Sequence, residues 1–328
     1  MRETMEVILE AERLGYDSLW TGEAWGSDVV SFLAFVGGRT SKIKLGAGIL
    51  QMQARTPAMT AMTAMTLDGL TNGRFLIGIG PSNPQVIEGW HGVPYGKPLQ
   101  RYREYIEIIR KILKREEALS YDGKEYQIPY RGPGASGLGK PLKSILHGRP
   151  DMKIYTASIS PKGIELAAEL ADGLLPVWMS PDWYDQLYKP HLDAGFAKGG
   201  RNPRYFDFSP YVTCVMGNDL DKCREPVKAS LALYIGGMGA RNKNFYNSYV
   251  RNFGYEDLAT NLQDLYLSGR KNEAQEAVPN ELVDAVALVG PREHIRDQIA
   301  RWKASAVTTM LIGTSQPEAL RTVAELCN

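Results

Sequence analysis

Ile43-Lys44-Leu45-Gly46-Ala47-Gly48-Ile49-Leu50, then Thr56-Pro57 at the head of a helical stretch, then Phe75-Leu76-Ile77-Gly78-Ile79 read as strand, helix, strand. Each apolar run is short and continuous, the pattern of a strand buried on both faces. Proline at the first helical position starts the connecting helix without losing a hydrogen bond. A parallel pair joined through a helix follows, because parallel neighbours need such a crossover. The alternation continues in both directions. A helix closed by Gly15 leads to a strand at 16–21, and Ser27 or Asp28 can cap a helix through Val36. Residues 99–115 form the most periodic helix, with Tyr102, Tyr105, Ile106, Ile109 and Leu113 on one face. Further strands are expected at 153–157, 173–177, 206–216 and 308–312, separated by helices, with a closing helix at 318–326. Seven strands in strict alternation predict an α/β architecture, a parallel sheet with helices outside.

Composition narrows the function classes. The 328 residues carry 38 basic and 37 acidic side chains, net charge +1, and 44% are hydrophobic, which is ordinary globular usage. Balanced charge removes the electrostatic footprint of a nucleic-acid partner. Length alone admits one domain or two, since α/β barrels run past about 250 residues as one unit. Cys214, Cys223 and Cys327 are odd in number and share no CxxC spacing, which suits a reducing compartment better than a disulfide framework. Acids run through the first fifteen residues, so no signal peptide is expected, and no apolar stretch reaches the ~18 residues of a membrane span. A cytoplasmic protein without a membrane partner is the expectation.

Residues 134–140 match the start of a phosphate-binding GxxxxGK loop, but Pro141 stands where the metal-binding hydroxyl belongs and no strand or helix flanks the run. Gly78-Ile79-Gly80 begins a dinucleotide fingerprint, yet Asn83 replaces its third glycine, which argues against a Rossmann domain. His91, His147, His191 and His294 fall in four separate segments without HExxH spacing, so no metal site is expected. Met59, Met62 and Met65 recur at helical spacing and are expected to pack in the core. Ser158-Ile159-Ser160-Pro161-Lys162-Gly163 follows a strand and enters a helix. Its free amides, two hydroxyls, Lys162 and the positive helix end could gather round a phosphate, or the run could simply be a well-capped helix start. Gly46 and Gly48 interrupt a buried strand, which marks a bulge or a close approach by ligand or backbone.

Taken in order, Asp17-Ser18-Leu19-Trp20-Thr21-Gly22-Glu23, Leu45-Gly46-Ala47-Gly48-Ile49, Arg55-Thr56-Pro57-Ala58, Asn72-Gly73-Arg74-Phe75 and Ala171-Asp172-Gly173 resemble the bacterial luciferase-like monooxygenase family. Within it the chain is most similar to the deazaflavin (coenzyme F420)-dependent oxidoreductases. The resemblance implies a TIM-type (β/α)8 barrel spanning residues 1–328 as one domain, with insertions at about 120–150 and 235–277, and a homodimer. It implies a flavin-like cofactor at the C-terminal mouth, over a bulge with a non-prolyl cis peptide at Gly48–Ile49. Glu23, Leu50, Ser82 and Asn83 would line the cofactor, and Ala157, Ser158, Ile159 and Ser160 would bind its phosphate. In sugar-phosphate-oxidising members a histidine follows the carboxylate and an acid follows the Gly-x-Gly strand; here Ala24 and Asn83 stand there, so that activity is not expected.

A deazaflavin has carbon at its reactive ring position and passes hydride, while the protein supplies face selection, distance and charge. The expectation is hydride transfer between coenzyme F420 and a small organic substrate. Glu23 and His91 are the candidate catalytic groups, and Trp25, Trp90 and Trp178, with Tyr95, the candidate substrate wall. The same scaffold admits an FMN-dependent monooxygenase or a flavin-binding barrel without turnover. Relatives begin with a strand ahead of their first helix, and this chain begins inside that helix. A barrel lacking its first strand is therefore expected, with a gap between the strands at 17–21 and 308–312.

Overall fold

The computed structural model describes residues 2–241 and 243–327. Twelve strands follow in chain order: β1 (Ser18–Thr21), β2 (Lys44–Ala47), β3 (Leu50–Gln51), β4 (Phe75–Gly80), β5 (Tyr121–Asp122), β6 (Gln127–Ile128), β7 (Ile154–Thr156), β8 (Gly173–Leu174), β9 (Asp207–Phe208), β10 (Tyr211–Met216), β11 (Ala287–Gly290) and β12 (Leu311–Gly313). A parallel sheet runs β1-β2-β4-β7-β8-β9, with β3 also on β4. A parallel bridge from Val177 to Tyr211 carries it into the second sheet, β11-β10-β12. The wall is that of a TIM-type barrel, helices outside, opened at one place.

The opening is where the missing strand was expected. Among the described residues β1 pairs only with β2, and β12 only with β10. Between them lies a groove of about 130 Å³ lined by Ile8, Leu19, Trp20, Tyr211, Ile312 and Leu320. Helices Arg2–Arg13 and Pro317–Cys327 close its outer side, through Arg321 on Glu10 (2.7 Å) and the Tyr16 hydroxyl on the Leu320 carbonyl (2.9 Å). Helix contacts thus replace a strand's hydrogen bonds.

Three expectations need correction. The run at 206–216 is two strands, since Ser209 and Pro210 interrupt it; β9 pairs with β8 and β10 with β11 and β12. Ala287–Gly290 is a further strand, one more than the seven expected, because helix Asn280–Val286 runs straight into it with no turn residue to mark the change. It lies on the side of β10 away from β12, so it does not fill the groove. Met59 and Met62 face solvent, 48% and 54% exposed, and only Met65 is buried. Helix Pro57–Leu70 packs by its Ala61, Ala64, Met65 and Leu67 side instead.

Local chemistry accounts for the other elements. Asp28 and Thr56 cap their helices through Ser31 and Met59 amides. The face of helix Pro98–Lys114 that includes Tyr102, Tyr105, Ile106, Ile109 and Leu113 is buried. Residues 120–150 hold the antiparallel pair β5/β6 and an exposed irregular run; the GxxxxGK look-alike sits in that run without flanking strand or helix. The second excursion is helical, from a π-turn at Leu233–Gly237 through helices Phe245–Arg251, Glu256–Leu267 and Lys271–Glu276.

Candidate active site

The ends of β1, β3, β4 and β7 bring the expected residues together at the C-terminal mouth of the sheet, where barrel enzymes place their chemistry. The strand read as 43–50 runs unbroken through Gly46 and is interrupted at Gly48–Ile49, between β2 and β3, and each glycine has its own reason. The Trp20 ring lies across Gly46, where a Cβ would come within 2.3 Å of it. Gly48 stands between β2 and β3, and its peptide with Ile49 is cis, as the resemblance implies. The bulge is tied down by Gly48 N on the Thr21 carbonyl (2.7 Å) and Glu23 N on the Ile49 carbonyl (3.0 Å).

Glu23 follows β1, and both its oxygens are engaged. Oε2 accepts from the Gln51 amide (3.2 Å) and Oε1 from Arg55 Nη2 (3.1 Å). Arg55 also reaches Asp28 Oδ1 (2.8 Å). Burial pushes the Asp28 carboxyl up, but its hydrogen bonds to Ser31 and the Arg55 charge outweigh that and hold it below the usual range. The chain Glu23–Arg55–Asp28 therefore joins β1, the bulge and the head of helix Val29–Gly37.

Gln51, the last residue of β3, is buried beside it. Its side-chain nitrogen faces the Glu23 carbonyl (3.2 Å), the Ala24 carbonyl (3.1 Å) and Ser82 Oγ (3.4 Å), and its oxygen meets His91 Nε2 at 2.5 Å. His91 is half-buried just beyond helix Pro84–Gly89. Ser82 (φ 55°) and Trp178 (φ 48°) adopt left-handed backbone without being glycine, and such positions gather at functional sites. Asn83 caps helix Pro84–Gly89 through Val86 N (2.9 Å). Tyr95 donates to the Ser82 carbonyl (3.3 Å), and burial pushes its hydroxyl up to about 12.

At the end of β7, Ala157 N donates to Ile79 and its carbonyl accepts the Tyr102 hydroxyl (2.7 Å). The amides of Ser158, Ile159 and Ser160 make no hydrogen bond among the described residues, and Ser160 Oγ caps helix Pro161–Leu170 through Gly163 N (3.2 Å). Gly163 leaves room for this fold-over, since a Cβ there would sit 1.7 Å from Ser158 Oγ. Thr156 Oγ1, just ahead of the loop, is buried without a partner among the described residues. Lys162 does not join the loop. On the first turn of the helix it is exposed and pairs with Glu165 (2.8 Å). A cavity of about 270 Å³ opens beside the loop, walled by Ile159, Pro161, Leu187, His191, Tyr249 and Phe253.

Of the three tryptophans, Trp178 is buried in an aromatic cluster, 5.2 Å from Tyr234 and 5.3 Å from Tyr246. Trp25 and Trp90 are exposed, 55% and 66%, and join no aromatic pair among the described residues. Sequence reading missed Gln51, Arg55, Tyr234 and Tyr246. A polar residue directly after the apolar run Ile49-Leu50 was the signal for Gln51; the tyrosines lie in a helical excursion that carries none. Cys214 and Cys223 are buried, and burial pushes the Cys214 thiol up to about 12. Among the described residues no three His, Cys, Asp or Glu side chains are grouped to hold a metal, and no helix is long and apolar enough to cross a membrane.

A sequence model of the luciferase-like monooxygenase family matches residues 1–309. A Mycobacterium tuberculosis protein provisionally named as a coenzyme F420-dependent oxidoreductase is 42% identical over 324 residues, 98% of this chain and 93% of that one. A 5,10-methylenetetrahydromethanopterin reductase of Archaeoglobus fulgidus is 28% identical, covering 93% and 87%. Among solved structures, the coenzyme F420-dependent tetrahydromethanopterin reductase from Methanopyrus kandleri superposes with a TM-score of 0.81 at 22% identity, over 99% and 94% of the two chains, which is a likeness of fold.

Proposed function

Because the chain belongs to the luciferase-like monooxygenase family, we propose that it is an oxidoreductase that binds coenzyme F420 and passes hydride between it and a small organic molecule. One observation carries this reading: the bulge at Gly48–Ile49 and the loop of unpaired amides at Ser158–Ser160 stand at the same mouth, in a chain 42% identical to a relative named for F420. The residues present fit such a group. Three free amides and two serine hydroxyls at a helix N-terminus suit a phosphate, and the orphan Thr156 hydroxyl adds a buried donor beside them. When bound, the deazaflavin supplies the two-electron chemistry.

The protein's own parts divide as follows. Ala157, Ser158, Ile159 and Ser160 anchor the phosphate; Gly48, Ile49, Leu50, Ser82 and Asn83 form the seat for the ring. Glu23, with both oxygens occupied, holds the bulge against β1 and keeps Arg55 in place. His91 has a ring nitrogen to spare and moves the substrate's proton. Trp178, with Tyr234 and Tyr246, forms the wall on the far side, and Trp25 and Trp90 come to the substrate only at the rim. We read residues 1–328 as one cytoplasmic barrel domain.

Titration followed by tryptophan fluorescence tests the cofactor. Saturable quenching by F420 at least ~10-fold tighter than by FMN is expected, a difference of about 1.4 kcal/mol; the reverse order would replace this reading with that of an FMN enzyme, and no binding of either would remove both. The partner we propose is a second copy of the chain. Met59 and Met62 on helix Pro57–Leu70 and Phe35 on helix Val29–Gly37 expose apolar surface on two helices that pack together. Light scattering should give twice the monomer mass, and the double change Met59→Glu, Met62→Glu should halve it. A wild-type monomer would end the dimer proposal.

A further inference from the structure

We propose that Gln51 is a positioning residue that holds His91 in a single tautomer, with the proton on Nε2 and the lone pair on Nδ1. The Glu23 and Ala24 carbonyl oxygens can only accept hydrogen bonds, and the end of the Gln51 side chain lies 3.2 and 3.1 Å from them. The atom facing them must be the amide NH₂. Turning the amide over would set its oxygen against two other oxygens with no proton between, in a side chain that is only 1% exposed to solvent. The orientation of the amide is therefore set by chemistry.

His91 is bound by the consequence. The Gln51 oxygen, 2.5 Å from Nε2, can only accept, so Nε2 must donate. A neutral imidazole carries one ring proton, and Nδ1 is left as the ring's acceptor. No hydrogen bond to Nδ1 is made among the described residues. The His91 backbone is anchored as well, its amide donating to the Val86 carbonyl (3.1 Å) just beyond helix Pro84–Gly89. The Gln51 amide N, bonded to Glu23 Oε2, ties the same residue to the bulge, so the proton position on His91 is set by the strand end that seats the ring. Resting on the reading above, this makes neutral His91 an acceptor of a substrate proton at Nδ1, which suits withdrawal of a proton as hydride leaves the substrate.

The test is a long-range ¹H–¹⁵N spectrum of the full-length protein labelled at histidine, at about pH 8.5, above the ~6.5 of a free imidazole. Four histidines give a short spectrum, and His91→Gln assigns the signal in question. The expected result is one His91 nitrogen of pyrrole type at Nε2, one of pyridine type at Nδ1, and no averaging. Gln51→Met, similar in length but without donor or acceptor, should move both nitrogens toward the averaged values of a free ring. A protonated Nδ1, averaged nitrogens in the wild type, or a Gln51→Met spectrum unchanged at His91 would each overturn the proposal. If Gln51→Met does not fold, the wild-type spectrum alone decides. A protein that binds no F420 but shows the expected ¹⁵N pattern would remove the proposed function and leave this inference standing.

Discussion

Gly78→Ala is expected to destabilise the protein by about 3 kcal/mol, the upper end of what overpacking costs, and to abolish F420 binding. A Cβ at Gly78 would stand 1.7 Å from the Ala47 carbonyl oxygen. That oxygen belongs to the backbone at the end of β2, next to the bulge, so no side chain can swing aside to make room. β2 and β4, in register at Leu45–Phe75 and Gly46–Leu76, would have to part beside the bulge, which we propose seats the ring. Gly69 supplies the control: it is exposed in helix Pro57–Leu70 with nothing within 4 Å of its Cβ position. Alanine there should stabilise by roughly 0.5–1 kcal/mol through helix propensity. Urea unfolding of the two variants measures both; a Gly78→Ala protein as stable as the wild type would show that the strand ends are not packed as described.

The second large effect belongs to Glu104, a carboxylate 1% exposed in the middle of helix Pro98–Lys114. It accepts four hydrogen bonds, from the Gln100 side chain (2.7 Å) and from the backbone amides of Lys124 (2.8 Å), Glu125 (2.9 Å) and Tyr126 (2.9 Å). It thus holds the turn between β5 and β6 as a bound anion would. Burial raises its carboxyl, but the donors outweigh burial and keep it below the ordinary value. A group with a lowered folded value stabilises above its unfolded pKa, about 4.3, and loses that contribution as pH falls through the folded value. Glu104→Ala should cost about 3 kcal/mol at pH 7, since it takes the acceptor from three backbone amides and the Gln100 side chain at once. Glu104→Gln, which sets an NH₂ against backbone amides, should cost about half as much. The gap between wild type and Glu104→Ala should narrow on acidification below about pH 4. A gap independent of pH would mean that the carboxylate is not ionised in the folded protein. The same helix carries Tyr102, whose hydroxyl holds the Ala157 carbonyl, so loosening it should also reach the loop at Ser158–Ser160.

Residues whose function is local could be read in advance. Ser160 and Asp28 cap helices because a short side-chain oxygen reaches the amide three residues on, whatever the rest of the chain does. The need for glycine at 46 and 48 was visible for the same reason, though not which need applied where: a ring laid across Gly46 inside an unbroken β2, and the bulge after it at Gly48. Met59 and Met62 misled because helical spacing tells which residues share a face and not whether another element covers it. Lys162 misled because its nearest acid is three residues along its own helix.

The alternation of strand and helix and the parallel sheet were legible in the chain, because burial on both faces and helix-end chemistry leave their pattern within a few neighbours; the open edge between β1 and β12 was expected from the family resemblance alone. How the strand ends meet one another was set by the fold. Gln51 is 40 residues from His91 along the chain, 28 from Glu23 and 31 from Ser82, and no spacing rule links them. Their contact arises because parallel strands point the same ends at one mouth, where hydrogen-bond valence, rather than periodicity, settles which atom faces which.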